Sequence, residues 1–225
     1  MLGFSWTPAA KGQLDVYGPP GTGAFVKSAL DYLSLPIAIY AAQSPPIPPL
    51  SETVKAHDID VTRPTEVYRD DKVRVSAVEN SHYVTIPENK RPTGAARSYS
   101  YRFDTPDRSV VFSGDTGPSR DLEELAMGAD VLVIEVMDMD AIITWIKKGY
   151  SGNEQDLKST IDHMLQEHIS PQEVGRLATR AGVKFVILTH IAPGDDDETD
   201  LRRYTQGVRE VFLGPVVVAQ DGAEY

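Results

Sequence analysis

Residues 109–117 read Ser-Val-Val-Phe-Ser-Gly-Asp-Thr-Gly. A short apolar run stops on a glycine turn that carries one carboxylate, Asp115. A strand of that composition, ending in a turn, delivers its polar residue to the edge of a sheet. The residues just upstream extend the pattern. Ser98-Tyr-Ser-Tyr-Arg-Phe103 alternates as a strand, and Asp104-Thr-Pro-Asp107 is a hairpin turn between the two runs. Further upstream, Glu66-Val-Tyr68 and Lys72–Val78 also alternate. Downstream the rhythm changes. Helices are expected at Arg120–Met127, about 140–148, 154–167, Pro171–Ala181 and Asp200–Phe212, with strands at Val131–Val136, Phe185–Thr189 and Pro215–Ala219. An antiparallel half followed by alternating strands and helices predicts a layered α/β domain with mixed sheets. Ahead of all this, Leu14–Tyr17 is expected as a strand, Gly18-Pro-Pro-Gly21 as a turn and Ala24–Tyr32 as a helix. The proline-rich stretch 34–64 is expected as a long surface loop or arm, within a single domain spanning 1–225.

The chain has 225 residues, enough to bury a sizeable core, and 41% of them are hydrophobic. No apolar run approaches the ~20 residues of a membrane span. Twenty-two Lys and Arg against 33 Asp and Glu leave a net charge of −11. That sign opposes a broad grip on nucleic-acid phosphates. Part of the excess is the cluster Asp195, Asp196, Asp197, Glu198 and Asp200. With no cysteine, disulfides, thiolate zinc sites and cysteine nucleophiles are excluded. The N-terminal residues lack the basic and apolar regions of a signal peptide, so a cytoplasmic location is expected by default.

Three strands share one design, each apolar and each ending in a residue able to bind a metal. Strand 72–78 ends near His82, strand 109–112 ends in Ser-Gly-Asp115-Thr, and strand 185–189 ends at Thr189-His190. Two imidazoles and a carboxylate are a plausible ligand set for zinc or another divalent ion. Read alone, each residue is equally at home as a turn cap or a surface histidine. Gly18-Pro-Pro-Gly-Thr-Gly23 has the look of a phosphate loop, but no Gly-Lys-Ser/Thr follows it.

In their order, these pieces resemble the metallo-β-lactamase superfamily, specifically its ribonuclease Z and arylsulfatase-like branch. The resemblance rests on Val16–Thr22, His82, Val110–Gly117, Ala129–Glu135, His168-Ile-Ser-Pro171 and Ala181–His190. It covers about residues 14–219 and implies an αββα sandwich and a two-zinc hydrolase, with Mn2+ or Fe as other candidate metals. By the family's pattern, Asp115 would bridge the metals, and His82 and His190 would each hold one. His168 would act near the leaving group, with Glu135 orienting it.

One departure counts against a complete centre. The family's His-x-His-x-Asp-His signature, which lies upstream of the Tyr-Gly-Pro-Pro-Gly segment, has no counterpart among the five histidines, His57, His82, His163, His168 and His190. The chain therefore reads as an N-terminally truncated version of the fold. Three alternatives follow: a fragment of an active hydrolase, a weak one-metal site, or an inactive remnant that serves in binding. An exposed sheet edge would favour a homodimer. His163 and His168 are about 140° apart on a helix, so no shared face is expected. Lys90, Arg91 and Arg97 form the best basic patch, with Arg91 and Arg97 as candidate substrate contacts. The charge balance favours a small anionic ester (sulfate, phosphodiester or lactone) over nucleic acid. Ribonuclease Z-like processing of tRNA 3′ ends is the alternative.

Overall fold

The structure is a computed structural model and describes residues 12–43, 49–92, 96–194 and 199–225. Its packing divides the chain into two compact units. One holds the described residues up to Asp60 together with Arg91 and Pro92. The other holds Val61–Lys90 and the described residues from Ala96 onward.

In the first unit, β1 (Leu14–Gly18) pairs in parallel with β2 (Val54–Asp58). Between them in sequence run α1 (Thr22–Ala41) and the single turn α2 (Leu50–Thr53). A small apolar cluster forms around Val26 and Val54, with Leu14, Val16, Leu30, Ile37 and Ala56 against it. The stretch 34–64 is thus not one long loop. Helix α1 continues through Pro36, a residue that normally breaks a helix because it lacks an N–H and crowds the preceding turn. Pro36 is exposed, and Tyr32, whose carbonyl loses that partner, is 85% exposed. Ile37, meanwhile, anchors the continued helix in the cluster. The end of β2 also explains the glycine-rich turn. Asp58 accepts hydrogen bonds from Gly21 N (3.1 Å) and Gly23 N (2.8 Å), which hold its carboxyl below the usual range. The donors of the apparent phosphate loop are therefore aimed at this chain's own carboxylate.

The second unit is built on a seven-stranded mixed sheet in strand order. Strands β3 (Thr65–Arg69), β4 (Arg74–Glu79), β5 (Tyr99–Asp104) and β6 (Ser109–Phe112) run antiparallel. Strands β7 (Val131–Met137), β8 (Phe185–Ala192) and β9 (Val216–Val218) continue from β6 in parallel. Between these strands lie α3 (Arg120–Leu125), α4 (Met139–Gly149), α5 (Glu154–Glu167), α6 (Pro171–Ala181) and α7 (Arg202–Arg209).

Helix α6 shows how local sequence sets these bounds. Ser170 caps it, accepting from Glu173 N (3.4 Å) while its hydroxyl donates to Glu173 Oε2 (3.1 Å). Pro171 fits the first turn, where no N–H is needed. Gly182 ends the helix at φ 65°, a left-handed conformation suited to glycine. The buried stripe Val174, Leu177, Ala178 and Ala181 has helical spacing and joins Val111, Leu132, Ile134, Val186 and Leu188 in one core. Burying a side chain of Val or Leu size contributes about 1.5–3 kcal/mol. That core fixes the parallel strand ends from which the site residues project. Among the described residues, no helix is long and apolar enough to cross a membrane.

Candidate active site

The site is assembled from the loops that follow β4 and β6, from β7 and a bulge in β8, and from the junction of α5 and α6. After β4, Asn80 ties three segments together. Its Nδ2 donates to Ser113 O (2.9 Å) and Ser100 Oγ (3.3 Å), and its Oδ1 accepts from His82 N (3.1 Å). This Asx turn fixes the backbone of His82. The His82 ring is anchored as well, with Nδ1 3.2 Å from Glu167 O. A carbonyl only accepts, so Nδ1 carries the hydrogen and Nε2 keeps its lone pair.

The Ser-Gly-Asp-Thr loop after β6 turns on Gly114, at φ 61°. Thr116 is fully buried, and its N–H donates to Glu135 Oε1. Gly117 lies hard against the end of α5, where a Cβ would meet Gln166 O at 2.0 Å. On β8, the pairing with β7 slips between Glu135 and Val136, leaving His190 as the extra residue of a bulge. His190 sits at φ 43°, the one described non-glycine residue with positive φ. Such backbone costs about 1–3 kcal/mol and concentrates at functional positions, and a bulge re-aims a side chain.

The result is a convergence on Asp115. Its Oδ2 lies 3.4 Å from His190 Nε2 and 4.0 Å from His82 Nε2. These three donors have the chemistry of a divalent-metal site, with oxygen and imidazole nitrogen of the kind zinc takes. The fit is one of donor type. Among the described residues, no group of three His, Cys, Asp or Glu side chains already stands as a cage for an ion.

Beside this set lies a buried pair. His168 Nδ1 is 2.9 Å from Glu135 Oε2 and 3.2 Å from Oε1. Glu135 is 1% exposed and His168 6% exposed. Burial pulls the His168 pKa down, but the Glu135 hydrogen bond and the charges of Glu135, Asp115 and Glu167 outweigh it, leaving a net rise. The carboxylate also sets the tautomer, because it can only accept from Nδ1–H.

The expectation that His163 and His168 stand apart is overturned. Helix α5 ends at Glu167, and His168 follows in an extended conformation, φ −128° and ψ 164°. The helical angle between the two residues therefore does not apply. Their ring centroids are 5.6 Å apart, and those of His82 lie 5.1 Å from His168 and 6.2 Å from His163. Glu167 was missed from sequence, as was Asn80. A carboxylate at a helix C-terminus opposes the dipole, and that mismatch directly before a histidine was the available signal. Of the two arginines, Arg97 belongs to this unit and its Nε lies 3.8 Å from Glu79 Oε2. Arg91 belongs to the first unit.

Comparison with known proteins follows the same lines. The family model for the beta-lactamase superfamily domain matches residues 7–191, and the chain belongs to that superfamily. Among its relatives within it are ribonucleases Z. The chain is 31% identical over 228 residues to Ribonuclease Z of Mycobacterium tuberculosis (strain H37Rv), covering 98% of this chain and 70% of the relative. It is 29% identical over 208 residues to Ribonuclease Z of Mycobacterium sp. (strain KMS), covering 89% of this chain. It thus spans 63% of the length of that relative. The crystal structure of human tRNase Z, short form, matches with a TM-score of 0.56 at 17% identity, covering 98% of this chain and 71% of that one. Zn(2+)-bound PqqB from Methylobacterium extorquens matches with a TM-score of 0.56 at 15% identity, covering 94% and 64%. Both share the metallo-β-lactamase fold with this chain.

Proposed function

We propose that this chain is a metal-dependent hydrolase that cleaves phosphodiester bonds in RNA. The observation that carries this is the buried Glu135–His168 pair, 2.9 Å long, set beside Asp115 and its two imidazoles. Glu135 holds the ring in one orientation. The upward shift of His168, set by Glu135 against the opposing effect of burial, favours the protonated ring, and His168 donates from Nε2 to the departing ribose oxygen. General acid catalysis of this kind is worth about 10²–10⁴-fold in rate. Asp115, His82 and His190 would hold a divalent ion, with zinc favoured by the Zn(2+)-bound protein of the same fold. The chemistry such an ion supplies when bound is Lewis acidity toward a phosphoryl oxygen. His82 is ready for that role because its Nδ1 is engaged by Glu167 O.

The choice of RNA reverses the sequence-based lean towards a small sulfate, phosphodiester or lactone substrate. That lean came from the net charge of −11. Net charge sums the whole surface, whereas cleavage depends on donors at one bond. The relatives named Ribonuclease Z support the nucleic-acid reading. A second reading, a binding protein without turnover, is favoured by the open spacing of the metal donors. The test is incubation with a 3′-extended tRNA transcript, with and without zinc, for the wild type, H168A and E135Q. Metal-dependent cleavage lost in both variants supports the hydrolase. Binding without cleavage supports the second reading.

A further inference from the structure

One buried carboxylate makes a side-chain contact that the mechanism above does not use. Glu167 is 1% exposed and sits at the C-terminus of α5, where both burial and the helix dipole disfavour a carboxylate. It accepts from Thr85 N (2.9 Å) and from Thr85 Oγ1, and its Oε2 lies 2.7 Å from His163 Nδ1. This is the same design as Glu135 with His168: a buried carboxylate that orients an imidazole. Unlike His168, His163 is partly open, with 39% of its side chain exposed. It stands between the histidines of the site and a cavity of about 730 Å³ along α5.

That cavity has a distinct chemistry. Thr85 and one face of α5 line it, from Gln155 through Ser159 and Asp162 to Gln166. These positions recur at helical spacing on one side of the helix. The lining consists of amides, hydroxyls, carboxylates and His163, with no lysine, arginine or large aliphatic side chain. An anion would meet two carboxylates, Asp156 and Asp162, and the nearby Lys158 ammonium is already paired with Asp162 at 3.6 Å. An apolar group would meet only polar partners. A neutral group rich in hydroxyls finds acceptors and donors throughout. At His163, Glu167 takes the Nδ1 hydrogen, which leaves Nε2 for a ligand. A hydroxyl serves that atom in either protonation state, because it both donates and accepts.

We propose that this cavity is a subsite for the hydroxyl groups of a sugar, with His163 as its inner contact. Choosing ribose as the sugar rests on the reading of the site as RNA-cleaving. The 2′-hydroxyl of the nucleotide next to the cut then bonds His163, and this contact separates RNA from DNA.

The test measures binding of adenylyl-(3′→5′)-adenosine and of its 2′-deoxy counterpart by calorimetry, on the full chain. The wild type is expected to hold the ribose form about tenfold more tightly, the worth of one good hydrogen bond to the sugar. H163A is expected to bring the two forms within about twofold of each other. E167Q, which removes the charge that orients His163, is expected to shrink the ratio while the melting temperature confirms a folded chain. Equal binding of both forms by the wild type overturns the proposal. So does binding of neither, or an unchanged ratio in H163A. Ribose preference that depends on His163, in a chain that never cleaves RNA, sustains the subsite and removes the hydrolase reading. Cleavage without that preference does the reverse.

Discussion

Replacing Glu135 by Gln keeps the side-chain volume and removes the charge. Glu135 is 1% exposed, its Oε2 lies 2.9 Å from His168 Nδ1, and its Oε1 accepts from Thr116 N–H. An amide oxygen can keep one of those donors. Its NH2 group then faces the other, donor against donor. The loss is one charge-assisted hydrogen bond in a place water does not reach, about 1.5–3 kcal/mol. For a chain of this length each kcal/mol moves the melting temperature by about 2–4 °C. E135Q should therefore melt about 3–12 °C lower. The deficit depends on pH in a definite sense. The folded His168 pKa is raised above its ordinary 6.5, so its contribution to stability is fully present below pH 6.5. It is lost as pH rises through the folded value. E135Q removes the main cause of that rise. Thermal melts followed by circular dichroism near pH 6 and near pH 9 should show the larger deficit near pH 6. A deficit equal at both pH values, or a variant within about 1 °C of wild type near pH 6, would refute the pairing.

Three further outcomes are expected. His190→Gly relieves the positive φ of 43° and should stabilise the chain by about 1 kcal/mol in urea denaturation while abolishing cleavage; a loss of stability would contradict strain at that residue. Gly117→Ala forces a Cβ to 2.0 Å from Gln166 O, and this backbone clash should cost at least about 1–3 kcal/mol and cripple cleavage; a variant that melts with the wild type would show that the loop yields freely. Zinc at a hundred times its dissociation constant should stabilise the wild type by about 2.7 kcal/mol, with most of that gain absent in Asp115→Asn. Melting that ignores zinc in both proteins would remove Asp115 from the metal set.

The parts of the fold that were legible in sequence are those where local chemistry and tertiary packing agree. Helix α6 was read with the ends it has, Pro171 and Ala181, because Ser170, Pro171 and Gly182 each mark a boundary on their own. Helix α5 was read over 154–167 for the same reason, Asn153 acting as its cap. Strand β8 was read too short, since a bulge at His190 lets pairing resume at Ile191 and Ala192. A slip in register leaves no trace in local composition. Helix α1 is expected from sequence only over Ala24–Tyr32, but it runs to Ala41 through Pro36, where packing of Ile37 overrides the usual rule. At the site, the strand-end residues His82, Asp115 and His190 could be listed from the sequence, and the structure brings them around one carboxylate oxygen. Glu135 and His168 were named only through resemblance. Glu167 and Asn80 are not legible in sequence because their importance lies in contacts across 33 to 85 positions, and His163 reads from spacing alone as a residue apart from His168, although Glu167 holds its ring only four positions away.

The most direct test of the central claim is cleavage of a 3′-extended tRNA transcript by the purified chain, resolved on a sequencing gel across a zinc titration. Site-specific, metal-dependent cleavage by the wild type is expected, with H168A slower by about 10²–10⁴-fold though still folded. No cleavage at any zinc concentration, or equal rates for wild type and H168A, would contradict it.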